Sequence, residues 1–227
     1  MDRPSQAQAE RIHKFAHDLK NRLSGLQEAL RQMADPSADH KELLEFGEQQ
    51  FFKALRNIEE FMDDLHIDRN VKDLAVAPVE LAELVRLGAE QLHHRFSRKD
   101  QSLHLDLDPT IRVNADRHYL LEAIGALISN ASKFSPRNGS VTVVLKKKDR
   151  YAELCITDNG VGLTEADLKQ IFTRYAWLSS RSTAGEAQGR NALSRAHQWL
   201  RAMGGEMEAS SEGTGKGCSF TLRLPLA

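Results

Sequence analysis

Two long stretches at the start of the chain repeat apolar residues in alternating steps of three and four. The first stripe consists of Ile12, Ala16, Leu19, Leu23, Leu26, Leu30 and Met33. The second consists of Leu44, Phe51, Ile58 and Leu65, seven residues apart, with Leu55 and Met62 between them. This spacing is typical of helices that pack along a seam. It predicts a helix over residues 5–33, a turn at Asp35-Pro36-Ser37 and a second helix, which together make a hairpin.

Two helices of this kind cannot cover both of their apolar stripes by packing only against each other. The economical arrangement is a four-helix bundle made from two copies of the hairpin. The heptads therefore predict a homodimer.

The remainder of the chain mixes strand and helix patterns. Predicted strands cover residues 102–107, 111–114, 141–147, 151–157, 206–211 and 219–224. Predicted helices cover residues 79–96, 117–134, 164–171 and 191–203, with Asp116 as the N-cap of the second. Helices that alternate with antiparallel hairpins indicate an α+β sandwich, in which helices cover one face of a mixed sheet. Pro78 marks the predicted hinge, with domains at 1–72 and 73–227.

Composition narrows the functional classes. The chain has 31 basic and 32 acidic residues among 227, which gives no overall electrostatic case for nucleic acid or an anionic membrane. No apolar run approaches the length needed to cross a bilayer, so we expect no membrane segment in this chain. Cys155 and Cys218 lack metal-ligand spacing and are predicted to be reduced core thiols of a cytoplasmic protein.

His17 is the first candidate for chemistry, because it lies just off the apolar stripe of the first helix. Asp18 is its neighbour, and Asn21 follows one helical turn later on the same face. A neutral imidazole can attack an electrophile such as a phosphoryl group, while a carboxylate orients the ring and takes its proton. On this local pattern alone, a surface histidine without a function is the more common case.

The second candidate group lies in the α+β part of the chain. Asn130 and Lys133 share a face near a predicted helix end, where an amide oxygen suits Mg²⁺ and an ammonium group suits phosphate. Asp158, Gly160 and Gly162 follow a predicted strand, where the glycines let backbone approach a flat ligand and the carboxylate accepts from an amine such as that of adenine. Each pattern alone is also common on ordinary protein surfaces.

The sequence His-Asp-Leu-Lys-Asn-Arg-Leu at residues 17–23 resembles the phosphoacceptor box of sensor histidine kinases. Asn130, Lys133 and Phe134 resemble the N box of the ATP-binding domain found in these kinases and in the wider GHKL ATPases. Further similarities are the first glycine box at Asp158-Asn159-Gly160-Val161-Gly162, the phenylalanine box around Phe172 and the terminal glycine turn Gly215-Lys216-Gly217. The resemblance covers nearly the whole chain.

The resemblance implies a helical dimerisation and phosphotransfer domain followed by a GHKL-type ATP-binding domain. ATP and Mg²⁺ are the implied cofactors, with Asn130 as metal ligand, Lys133 facing phosphates and Asp158 reading adenine. His17 is the implied phosphoacceptor, Asp18 its general base and Asn21 the residue that positions water in a phosphatase reaction. The implied partners are a second copy, a response-regulator receiver domain and an upstream sensor domain or protein.

The chain departs from the family pattern at three places. Arg22 replaces a proline, and Ala126 replaces the first asparagine of the N box. The glycines of the second glycine box fall on Gln188, Arg190 and Ala192. Those glycines normally let the chain close on the triphosphate. The alternative is therefore a degenerate kinase, a dimeric histidine phosphotransferase or adaptor with weak or no ATP binding; a purely structural helical scaffold explains fewer of the residues.

Overall fold

The computed structural model describes residues 6–36, 38–64, 74–173, 178–179, 183 and 192–227. The chain divides into two compact units. One contains the described residues up to 64, and the other contains the described residues from residue 74 onward. The predicted boundary between residues 72 and 73 lies outside the described residues.

The first unit is a hairpin of two helices, α1 (Gln6–Gln32) and α2 (His40–Asp64). Small residues allow the helices to approach closely: Ala29 and Ala54 are buried, and Gly47 lies against the side chain of Leu26. At the open end of the hairpin, the rings of Phe15 and Phe61 stack with their centroids 4.1 Å apart. The predicted helical hairpin is confirmed, while Leu65 of the second stripe lies outside the described residues.

The second unit contains a two-stranded and a five-stranded sheet. The strands are β1 (Val76–Glu80), β2 (Ser102–Leu107), β3 (Arg112–Asp116), β4 (Ser140–Lys148), β5 (Tyr151–Asp158), β6 (Glu206–Ser210) and β7 (Cys218–Pro225). The helices are α3 (Leu81–Gln91), α4 (His93–Arg98), α5 (Arg117–Phe134), α6 (Glu165–Leu168) and α7 (Ala192–Ala202). The large sheet has the order β2-β4-β5-β7-β6, in which only β2 and β4 run parallel. Strands β1 and β3 pair separately as antiparallel neighbours.

Helix α5 lies at the centre of the core, where it contacts α3, α7 and strand β5. Its apolar face is buried, as Leu120, Ile124 and Leu127 illustrate with 0% exposure. Along β5 the buried residues alternate with partly exposed ones, which places Leu154 toward the helices and Glu153 on the other face. The predicted α+β sandwich, a mixed sheet with helices on one face, is confirmed.

The prediction of a single helix over residues 79–96 was wrong. The chain instead forms β1, then α3, and after a break at Leu92 the short α4. Strand β1 exists because it pairs with β3, and Pro78 lies within it opposite Asn114 rather than at a hinge. The predicted helix at 164–171 is also shorter, covering Glu165–Leu168. The other predicted elements of this unit agree within two residues at each end.

Two further expectations concern composition. Both cysteines are free, as predicted, but they are only half-buried, and Cys155 lies on the sheet face away from the helices. Among the described residues, no helix combines the length and apolarity that a membrane span requires.

Candidate functional site

His17 lies exposed on α1 between two polar neighbours. Its Nδ1 atom is 3.7 Å from Oδ1 of Asp18 and 3.3 Å from Nδ2 of Asn21. The imidazole side chain is 64% exposed, so water and a substrate have access to it. Both neighbours face Nδ1, and Nε2 has no partner among the described residues. The predicted grouping of imidazole, carboxylate and amide is therefore present in the structure.

Arg22, which occupies the family's proline position, lies within an uninterrupted helix α1. Its Nη1 donates to Oε1 of Gln50 on α2 at 3.4 Å. This residue therefore contributes a contact between the two helices where proline would have removed a backbone donor.

Asn130, Lys133 and Phe134 lie in the last turn and a half of α5. All three are half-buried. The Asn130 amide has no hydrogen-bond partner among the described residues, and the Nζ atom of Lys133 lies 5.7 Å from the Phe134 ring centroid. Residues three apart share one side of a helix, so the amide and the amine face the same region.

Asp158 ends strand β5 on the buried face of the sheet, with 6% exposure. Its Oδ1 accepts hydrogen bonds from the backbone N–H groups of Gly160 at 2.8 Å and Cys218 at 3.2 Å. Its Oδ2 has no donor among the described residues. Burial raises the pKa of the Asp158 carboxyl to about 6, although the hydrogen bonds from the two N–H groups lower this pKa in part.

The glycines after Asp158 have a different role from the one that the sequence suggested. A Cβ on Gly160 would lie 2.5 Å from the carbonyl oxygen of Phe134, and Val161 N donates to that oxygen at 3.2 Å. Gly162 has φ of +70°, and a Cβ there would overlap the carbonyl of Gly213. These glycines admit the protein's own backbone rather than a flat ligand. The contact at Phe134 brings Asp158 to the end of α5 that carries Asn130 and Lys133.

A polar crevice of about 380 Å³ opens at the ends of β5 and β7 beside Asp158. It is lined by Thr157, Asp158, Ser210, Ser211, Glu212, Lys216, Gly217, Cys218 and Ser219. The predicted residues Asn130, Lys133 and Phe172 do not line it. Burial, followed by the charge of Asp158, raises the pKa of the Cys218 thiol to about 12, so this wall of the crevice stays uncharged.

Phe172 follows α6 and is partly buried against the core. Its ring stacks on the imidazole of His197 in α7, with centroids 4.7 Å apart and planes 9° from parallel. Burial, and then the charge of Arg201, lowers the pKa of His197. Phe172 is thus placed by packing against α7, and the sequence analysis did not identify His197 as its partner.

The remaining sequence expectations concern a metal and the second glycine box. The described residues contain no group of three or more His, Cys, Asp or Glu side chains that could hold a metal ion. Ala192 is the first residue of α7, while Gln188 and Arg190 lie outside the described residues.

Part of the second unit matches a known protein family. Residues 115–227 match the family described as histidine kinase-, DNA gyrase B-, and HSP90-like ATPase. These residues belong to that ATPase family. Membership implies ATP binding, and the resemblance to a sensor histidine kinase catalytic core is confirmed.

The chain has relatives along nearly its whole length. The histidine protein kinase DivJ of Caulobacter vibrioides is 28% identical over 218 residues, which cover 93% of this chain and 36% of DivJ. Among solved structures, the mycobacterial sensor histidine kinase MprB is 27% identical, with a TM-score of 0.61 over 66% of this chain and 98% of that one.

The fold extends to a structure of the histidine kinase ThkA in complex with the response regulator protein TrrA. That structure is 16% identical, with a TM-score of 0.61 over 96% of this chain and 61% of that one. The chain spans between 36% and 58% of the length of the first curated relatives it matches.

Proposed function

We propose that this chain is the catalytic core of a two-component histidine kinase. In this proposal the domain of residues 73–227 binds ATP, and the γ-phosphoryl group passes to His17 in the domain of residues 1–72. It then passes to an aspartate of a response-regulator receiver domain. The observation that carries the proposal is the contact at Phe134. It joins the end of a helix that presents an amide and an amine to a buried carboxylate, one oxygen of which has no donor among the residues that the structure describes.

Each of these groups suits one part of the nucleotide. The free Oδ2 of Asp158 accepts from the exocyclic amine of adenine, which is a donor of matching chemistry. The amide of Asn130, which has no partner in the described part of the chain, offers one oxygen to Mg²⁺, an ion that takes its other ligands from phosphates and water. Lys133 neutralises phosphate charge, while Phe134, Gly160, Gly162 and Phe172 shape the site. Bound Mg²⁺ would neutralise charge on the triphosphate.

The arrangement around His17 favours attack by Nε2. This nitrogen forms the bond to the γ-phosphorus while the bond to the bridging oxygen breaks, and the electron pair leaves with ADP. Attack by Nε2 requires the tautomer with the proton on Nδ1, in which the Asn21 amide presents its oxygen to that atom. The proton then passes to Asp18, whose Oδ1 lies 3.7 Å from Nδ1. Positioning and charge neutralisation supply most of the catalysis in phosphoryl transfer.

Asn21 and the hairpin define the proposed partners. The complex of ThkA with TrrA supports a receiver domain as the partner of this core. The Asn21 amide would position a water molecule for dephosphorylating that partner. We further propose a cytoplasmic homodimer that receives its input from a sensor domain or protein.

Incubation with ATP radiolabelled at the γ-phosphate tests the transfer. Wild type and His13→Ala should incorporate acid-labile label, because His13 is an exposed histidine one turn before the site. His17→Ala should incorporate none. Equal labelling of the two variants would contradict the assignment of His17.

A degenerate kinase is the second candidate, favoured by Ala192 at a glycine position of the second glycine box. Such a protein would show no thermal shift with ATP and Mg²⁺, yet His17 would accept a phosphoryl group from a phosphorylated receiver domain. A saturating ligand stabilises its protein by about 2.7 kcal/mol at one hundred times its dissociation constant, so the shift is measurable.

A further inference from the structure

The last turn of α5 is held by groups from outside the helix. The final four carbonyl groups of a helix lack partners within it. Here Ala131 O accepts from Ser135 N at 3.1 Å, and Phe134 O accepts from Val161 N. The two carbonyls between them, at Ser132 and Lys133, receive side chains from distant parts of the sequence.

Lys99 supplies the cation at this helix end. The side chain is buried, with 6% exposure, in the loop before β2. Its Nζ donates to the carbonyl oxygens of Ser132 at 2.7 Å and Lys133 at 3.2 Å. A buried ammonium group is costly unless it is hydrogen-bonded, and a helix C-terminus favours positive charge. The need for hydrogen bonds and the attraction to the helix C-terminus both hold the Lys99 side chain at the last turn of α5. This turn carries the candidate phosphate-binding residues.

Thr183 meets the same turn from the segment that follows Phe172. Its Oγ1 lies 2.8 Å from Nζ of Lys99, 3.1 Å from Lys133 O and 2.6 Å from Ser135 O. Its backbone N–H donates to Lys133 O at 3.3 Å. Thr183 therefore contacts both Lys99 and the end of α5.

Ser179 makes a second set of hydrogen bonds, to α6. Its backbone N–H and hydroxyl donate to the buried carboxylate of Asp167 at 2.8 and 2.5 Å. Asp167 also accepts from Thr164 in the capping box of α6. Burial raises the pKa of Asp167, but the hydrogen bonds from Ser179 and Thr164 outweigh it and the net pKa is lowered. Ser179 and Thr183 are therefore bonded to different elements, Ser179 to α6 and Thr183 to α5.

We infer that Lys99 and Thr183 are positioning residues for the phosphate side of the nucleotide site. They hold the backbone of Ser132 and Lys133, and thereby aim the Lys133 amine and the Asn130 amide. This inference rests on the proposed function, because the turn matters for catalysis only if ATP binds there. Gln101 assists by donating to Ser132 O at 3.0 Å, so loss of Lys99 leaves that carbonyl partly satisfied.

The test uses a matched pair of substitutions at Thr183, which is an exposed residue. Thr183→Val removes the hydroxyl at constant shape, whereas Thr183→Ser keeps it. Dissociation constants are measured for ATP with Mg²⁺ and for adenosine, which lacks phosphates. Thr183→Val should weaken ATP binding about tenfold, as expected for hydrogen bonds to a charged group, and should leave adenosine binding unchanged. Thr183→Ser should bind both like wild type.

Lys99→Met provides the second arm. Lys99→Met should raise the dissociation constant for ATP at least as much as Thr183→Val does. In the double variant, this constant should rise by less than the product of the two single fold-increases, because the two residues act on the same turn. The inference would be overturned if Thr183→Val weakened the binding of adenosine and ATP equally. It would also be overturned if the fold-increases of the two substitutions multiplied in the double variant.

Amide hydrogen exchange of the unliganded protein separates this inference from the proposed function. Amides at residues 130–135 should exchange faster in Thr183→Val than in Thr183→Ser. If wild type binds no ATP, the proposed function fails, and equal exchange in the two Thr183 variants would by itself overturn the positioning role.

Discussion

Asp158 buries a carboxyl group whose two hydrogen-bond donors are backbone N–H groups. Its pKa in the folded protein is about 6, raised from 3.8 by burial. Below about pH 4 both folded and unfolded states hold the proton, and the side chain imposes no cost on folding. As the pH rises, the unfolded state ionises first, so stability is lost until the folded state ionises as well. The full cost, about 3 kcal/mol, is reached above about pH 7, where the folded state is ionised as well.

Asp158→Asn removes this ionisation and should stabilise the protein increasingly as the pH rises. We expect the stability difference between variant and wild type to grow by about 1 to 2 kcal/mol from about pH 5 to about pH 8. Chemical denaturation at several pH values measures it. A stability difference between variant and wild type that does not change with pH would show that burial does not raise the pKa of Asp158. The same variant should lose nucleotide binding if Oδ2 reads adenine.

The sequence predicts site residues well where neighbours along the chain are neighbours in space. His17, Asp18 and Asn21 meet because residues four apart adjoin on a helix, and Asn130 and Lys133 share a face for the same reason. The sequence pattern did not identify Lys99 and Thr183 as site residues. They act from irregular segments far apart in the sequence, where no periodicity marks them.

At the scale of elements, Asp116 decides where α5 begins. Its Oδ1 accepts from the backbone N–H groups of His118 at 2.9 Å and Tyr119 at 3.2 Å. Its Oδ2 accepts from Ala75 N at 2.9 Å, which ties the start of β1 to the same residue. The cap was predicted from the sequence because it is local, whereas the bond to Ala75 depends on β1 and β3 pairing.

Asp116→Ala should destabilise the second unit by about 2 kcal/mol, because it removes a helix cap and a buried hydrogen bond. Asp116→Asn is the control, since it keeps the capping oxygen and replaces the oxygen that faces Ala75. Denaturant unfolding monitored by circular dichroism should therefore place Asp116→Asn between wild type and Asp116→Ala. Equal destabilisation by both substitutions would assign the whole effect to the Ala75 bond.

The difference between local contacts and contacts distant in sequence also explains why the prediction of a single helix over residues 79–96 was wrong. Apolar spacing in this stretch fits a helix, and α3 does occupy its middle. Strand β1 is created by partners in β3 more than thirty residues later, with Val79 opposite Val113. Pro78 is tolerated there because β1 and β3 form a sheet of only two strands, with an open edge. A single-sequence pattern contains no information on such pairing.

At the scale of the whole molecule, the hairpin leaves apolar side chains uncovered. Leu23, Leu30, Leu44 and Phe51 are between 46% and 61% exposed. A cavity of about 210 Å³ lies among apolar residues of both helices, including Leu30, Leu44 and Phe51. Contiguous exposed apolar surface of this kind marks an interaction site, and identical hairpins bury it symmetrically in a four-helix bundle.

Wild type should therefore sediment at twice the 25.5 kDa of one chain. Leu30→Arg should raise the dimer dissociation constant by at least about 100-fold, because each dimer loses two buried leucines at about 1.5 to 3 kcal/mol each. Gln32→Arg introduces the same charge two residues along α1, on the opposite face of the helix, and should leave the dimer intact. Sedimentation equilibrium over a range of concentrations distinguishes the variants. A monomeric wild type at micromolar concentration would contradict the four-helix bundle, and equal weakening by both substitutions would show that charge rather than this apolar face controls association.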